Sequence, residues 1–131
     1  MAPALIISKG TELLRFLPDS ILCIAAEGNY SIVYTLDGEH CLVSAQLGQV
    51  EELLGKQLGE GAKEFIRMGR PYIINTKYIH SIDIGRQTLV LSDCKGGKVH
   101  TLEPSRDALI KLRDYVMDHS INRINDPQHE Q

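Results

Sequence analysis

What the chain lacks narrows its class first. No apolar run approaches the roughly 18–20 residues needed to cross a bilayer as a helix. The longest, Ile21 to Ala26, has six. The start, Met1 to Ile7, has neither the basic n-region nor the long apolar stretch of a secretory signal. No membrane association is expected, and the cytoplasm is the expected location. Cysteine is sparse. Cys23, Cys41 and Cys94 form an odd set with no paired spacing, which excludes a disulfide framework or a zinc ribbon. Reduced thiols packed in or near the core are expected. His40, His80, His100, His119 and His129 are the five histidines, and none pairs with a His, Cys or carboxylate at metal-ligand spacing. There is no GxSxG elbow and no P-loop. The Gly96-Gly97 pair lacks the strand-to-helix context of a phosphate cradle. Glu51-Glu52 reads as the solvated face of a short helix. Nothing assembles a nucleophile, a base and an oxyanion site. No enzyme activity, metal or cofactor is expected.

What is there suits a single folded domain. The chain has 131 residues, 43% of them apolar and 24% charged, enough to bury a core without staples. The net charge of −3 is unevenly spread. Residues 1–62 carry three basic and eight acidic groups, residues 63–98 seven and three, and residues 99–131 four and six. Potential at a phosphate contact is local, because salt screens beyond about 8–10 Å. The basic middle segment can therefore serve as a binding edge despite the negative total.

Local patterns predict many short strands. Leu5 to Ile7, Glu12 to Leu17, Ile21 to Ala26 and Ser31 to Leu36 are apolar or β-branched runs separated by Lys9-Gly10, Pro18-Asp19 and Gly28-Asn29. Asp37-Gly38 predicts a two-residue hairpin turn with Glu39 to Val43 returning. The period then changes. Leu47, Val50, Leu53 and Leu54 lie at helical spacing, with Ser44 as the expected N-cap and Gly55 as the expected stop. Phe65 to Met68, Tyr72 to Ile74, Tyr78 to Ile84, Thr88 to Leu91 and Lys98 to Leu102 complete the strands. Asn75 is expected to support a turn through its side chain. A terminal helix follows Ser105, its N-cap, with Leu109, Leu112, Tyr115 or Val116, and His119 on one face. Residues 1–120 are expected to form the domain, and residues 121–131 a polar, disordered tail. The class is mainly β, antiparallel, with one short internal helix and a C-terminal helix.

Three polar interruptions border these strands: Glu27-Gly28-Asn29-Tyr30, Arg67-Met68-Gly69-Arg70 and Pro104-Ser105-Arg106. Loops held between rigid strands commonly carry binding residues. Arginine suits such loops for nucleic acid, because its planar fork can meet guanine O6 and N7 together or grip phosphate. Taken singly, each arginine is explained as well by a surface ion pair.

In order and spacing these segments resemble the LytTR DNA-binding domain of bacterial transcriptional regulators. The resemblance runs through Asp19 to Tyr30, Thr35 to Gly38, Ser44 to Leu47, the block Phe65-Ile66-Arg67-Met68-Gly69-Arg70-Pro71-Tyr72-Ile73-Ile74-Asn75, Tyr78-Ile79, Leu89 to Thr101 and Ser105-Arg106. It implies an elongated fold of about ten mostly antiparallel strands whose loops enter successive DNA major grooves. It implies sequence-specific binding of double-stranded DNA in transcription regulation, with copies paired on repeated half-sites. Carried over by position, Asn29 or Tyr30, Arg70 and Arg106 are candidates to read bases, and Ser44, Gln46 and Arg67 to contact phosphate. Lys77, Lys95 and Lys98 are candidates for nonspecific attraction. Family members commonly carry a receiver domain ahead of this module. With about four residues before the first strand, the chain is expected to be either a fragment of a longer regulator or a free-standing one, and in the second case control is expected from a regulatory protein partner, from abundance or from another input. Gly69 and Pro71 depart from the family's His and Ser, and Asp107 sits beside Arg106. These departures motivate an alternative: a protein-interaction module on the same fold, with weak or lost DNA binding.

Overall fold

The computed structural model describes residues 3–124, and side chains within residues 3–119. Ten strands and two α-helices follow one another as β1 (Leu5–Lys9), β2 (Glu12–Phe16), β3 (Ile21–Glu27), β4 (Tyr30–Thr35), β5 (His40–Val43), α1 (Leu47–Leu58), β6 (Phe65–Met68), β7 (Tyr72–Asn75), β8 (Ile79–Asp83), β9 (Thr88–Leu91), β10 (His100–Leu102) and α2 (Arg106–Ile124). The strands form three sheets: a β1-β2 hairpin, a central sheet ordered β5-β4-β3-β7-β6, and a three-stranded sheet ordered β10-β9-β8. Every pairing is antiparallel.

The central sheet is covered on both faces. Ile24, Val33, Val43 and Ile73 pack with Leu5 and Ile7 of β1 and with Leu47, Val50, Leu54 and Leu58 of α1. On the other side Cys23, Met68 and Ile74 pack with Leu89, Leu91 and Leu102 of the small sheet and with Leu109 and Leu112 of α2. Double coverage explains why β3 reads as an unbroken apolar run rather than an alternation. A register shift between Ile21 and Cys23 re-aims the start of that strand. Cys23 lies in this core, and burial pushes its thiol up to about 12. Cys41 is half-buried and Cys94 exposed. Cys94 Sγ lies 3.5 Å from His80 Nδ1, so the expectation of core thiols does not extend to it.

Several local expectations shift. α1 does not start at Ser44. That residue's N–H donates to Ser8 O at 2.9 Å, and its hydroxyl accepts from Gly10 N at 3.4 Å, which ties it to the first hairpin. Gln46 takes the N-cap position in a capping box with Gln49, whose Oε1 accepts from Gln46 N at 2.8 Å. Nor does α1 stop at Gly55. Burial of Leu54 and Leu58 carries it another turn, offsetting the roughly 1 kcal/mol that an internal glycine costs. The Asp37-Gly38 hairpin is closed by three residues rather than two, with Thr35 N bonded to Glu39 O at 3.0 Å. Asp37 Oδ1 accepts from Thr35 Oγ1 at 2.6 Å and from Glu39 N at 3.0 Å. Tyr78 falls in a single 3-10 turn ahead of β8, and Lys98 precedes β10 rather than joining it. α2 runs to Ile124, so the first part of the expected tail is helical, while residues 125–131 lie outside the described residues.

The outer edge of β1 is closed by a side chain. Gln57 of α1 accepts from Ile6 N at 2.8 Å and donates to Ile6 O at 3.2 Å, as a neighbouring strand would.

Candidate functional site

Antiparallel pairing decides which loops share an end of the central sheet. Glu27 pairs with Tyr30, so the Gly28-Asn29 turn caps the β3-β4 end. Ser31 pairs with Val43, which brings the β5-to-α1 connection to that same end. Ala25 pairs with Tyr72, and Ala26 N donates to Pro71 O at 2.8 Å, which adds the Gly69-Arg70-Pro71 turn. The start of α2 joins them. A Cβ placed on Gly69 would lie 3.7 Å from Ala108 Cβ. Four connections thus converge, carrying Asn29, Tyr30, Ser44, Gln46, Arg70 and Arg106.

Each is exposed. The Gln46 side chain donates from Nε2 to Asn29 Oδ1 at 3.2 Å, joining the first loop to the head of α1. Tyr30 leaves 48% of its surface to solvent. Gly69 adopts φ +65° and has a neighbour in Pro71, whose Cδ would lie 3.4 Å from an added Cβ. A left-handed residue therefore sets the direction of Arg70. Ser105 caps α2 as expected, its hydroxyl accepting from Ala108 N at 3.2 Å. Asp107 lies in the first turn of α2, where a carboxylate favours the helix dipole.

Arg67 is placed differently. Its guanidinium reaches Glu51 Oε1 of α1 through Nη1 at 2.9 Å, and Arg70 O through Nη2 at 2.8 Å. Glu51, read from sequence as a solvated helix residue, is thereby part of the site's support. Sixteen residues separate the pair, and no local pattern signals the contact.

The three lysines expected to supply nonspecific attraction lie elsewhere. Lys77 pairs with Asp19 at 2.7 Å, just ahead of β3 and so at the opposite end of the sheet. The hydrogen bond to Asp19 holds the Lys77 ammonium above its ordinary range. Lys98 crosses Gly38 at the β4-β5 turn, also at that far end. A Cβ there would lie 2.5 Å from Lys98 Cδ. Lys95 belongs to the same β9-β10 connection as Lys98. Asn75 is buried and serves a turn, accepting from Lys77 N at 3.2 Å and donating to Ile21 O at 3.0 Å and Pro18 O at 3.3 Å. Among the described residues no group of three or more His, Cys, Asp or Glu could hold a metal ion, and no helix is long and apolar enough to cross a membrane.

A family model described as the LytTr DNA-binding domain matches residues 11–117. Among solved structures, the chain is similar to a LytTr DNA-binding domain from Bacillus cereus, described as part of a methyl-accepting/DNA response regulator. The TM-score is 0.59 at 17% identity, covering 88% of this chain and 98% of that one. At that identity the likeness speaks for the fold. No curated protein matches the chain.

Proposed function

We propose, from the premise that the chain belongs to the LytTr DNA-binding domain family, that it binds double-stranded DNA sequence-specifically in bacterial transcription regulation. The observation that carries this reading is the convergence of four exposed connections at one end of the central sheet. Arg70, Arg106 and Asn29 or Tyr30 read base edges in the major groove. Gln46, Ser44 and the free N–H groups at the head of α1 take phosphate oxygens. Residues 1–120 act as one module, copies pair on repeated half-sites, and the protein works in the cytoplasm.

Selection from a random duplex pool at two salt concentrations tests this. An enriched, repeated motif with affinity falling steeply with salt is expected. Arg70→Ala and Arg106→Ala should each cost about 1–3 kcal/mol on the selected site and relax preference at one position. Intact specificity in both variants would sink the loop assignment.

A second reading, a protein-interaction module on this fold, is favoured by one feature. Asp107 is exposed beside Arg106, where it repels phosphate. Absence of salt-dependent DNA affinity, together with one saturable protein partner, would select it.

A further inference from the structure

Arg67 sits where a phosphate contact would be sought, but its surroundings describe another task. It lies on β6 opposite Ile73, and its side chain is 29% exposed. One terminal nitrogen is committed to the Glu51 carboxylate at 2.9 Å. The other holds the main-chain carbonyl of Arg70 at 2.8 Å. Nε is buried and has no partner. The charge is already neutralised, and the planar fork spans a helix and a turn. A carboxylate close to the guanidinium weakens any attraction to a phosphate. A carbonyl on the second arm ties down the peptide between Arg70 and Pro71. That peptide belongs to Arg70, whose turn enters through left-handed Gly69.

We infer that Arg67 is a positioning residue: clamped by Glu51, it holds the Arg70 turn in the orientation from which Arg70 reads a base. The inference rests on the DNA-binding reading above and deepens it. It also gives α1 a part in recognition beyond its own N-terminus, since Glu51 anchors the clamp from the middle of that helix. Arg67 meets no base. It sets the aim of a residue that does.

Glu51→Gln separates this role from phosphate contact. Electrostatics alone predicts tighter binding, because a negative charge leaves the DNA side of the molecule. Positioning predicts the reverse. Affinity for the selected duplex should fall by about tenfold, the loss of roughly one charge-assisted hydrogen bond. Affinity for random duplex should hold or rise slightly, and the salt dependence should stay unchanged. Arg67→Lys keeps the charge but loses the fork, and it should lose the same discrimination. In an Arg70→Ala background, Glu51→Gln should have no further effect on discrimination, because the clamp then has nothing to aim.

The outcome that overturns the inference is equally specific. If Glu51→Gln tightens both duplexes, Arg67→Lys retains specific affinity, and Arg67→Gln lowers the salt slope by about one, then Arg67 is a phosphate contact. A DNA-free readout keeps the two failures apart. Backbone order parameters at Gly69 and Arg70 from nitrogen relaxation should fall in Glu51→Gln while circular dichroism and the unfolding midpoint change little. Unchanged order removes the clamp even if DNA binds. Lowered order in a protein that binds no selected duplex leaves the clamp standing and overturns its role in base reading along with the DNA-binding proposal.

Discussion

Asn75 is one of two buried polar residues in the described chain, at 1% exposure, and its side chain satisfies three main-chain groups. Its amide donates to Pro18 O and Ile21 O, and its carbonyl accepts from Lys77 N. These bonds join the start of β3 to the end of β7, across more than fifty residues of sequence. Asn75→Ala takes a buried partner from Ile21 O and an acceptor from Lys77 N, while Pro18 O keeps its bond from Ile21 N, at a cost of about 1–3 kcal/mol. Urea unfolding should show a lower midpoint with an unchanged slope. Leu at the same site should do no better, because the loss lies in the partners taken from Ile21 O and Lys77 N rather than in volume. His100 offers a second test on a single side chain. Its ring stacks on Tyr34 at a centroid distance of 4.2 Å, Tyr34 also faces His40, and burial holds the imidazole below its ordinary value of 6.5. The unfolded chain then binds the proton more readily than the fold does. Stability should be level above about pH 6.5, and fall as pH drops through that value toward the folded one. His100→Phe should flatten that part of the curve in a thermal series across pH.

At the scale of elements, the β6-β7 hairpin shows how a three-residue turn fixes its backbone. Met68 pairs with Tyr72, which leaves Gly69, Arg70 and Pro71 to reverse the chain. Gly69 supplies the left-handed step, and Pro71 removes a donor that the turn does not use. Gly69→Ala should cost about 1–2 kcal/mol in backbone strain alone. The added methyl itself would make only ordinary contact with Pro71 Cδ and Ala108. We expect a modest drop in melting temperature and a larger proportional loss of discrimination between selected and random duplex. Equal losses on both duplexes would mean that the turn adapts and Arg70 keeps its aim. α1 shows the complementary case, in which tertiary burial outweighs local preference. Gly55 should end it, yet Leu58 on the same buried face as Leu54 draws it one turn further.

At the scale of the molecule, what was legible in the sequence follows from range. Turn chemistry at Gly28-Asn29 and Asp37-Gly38, and the 3.6-residue period from Leu47 to Leu54, lie within a few residues and identify elements well. The expected N-cap at Ser44 gives way to Gln46 because the group that Ser44 bonds, Ser8, is distant in sequence. The Phe65 to Asn75 block located the Arg70 turn. Nothing local told that Glu51 would meet Arg67, or that Lys77 and Lys98 would fall at the far end of the sheet. The Arg67 and Lys77 placements depend on β3 pairing with β7, Cys23 against Ile74, and that of Lys98 on the small sheet packing against the central one, choices made by the assembled core. The same assembly splits the strands into three sheets, and three open sheets leave six edges. Each edge is a row of hydrogen-bonding groups that another chain could copy. At β1 the row is interrupted, because the Gln57 amide engages both main-chain groups of Ile6. The helix side chain acts there as a stopper against fibre growth. Strand addition at that edge would first have to dislodge Gln57.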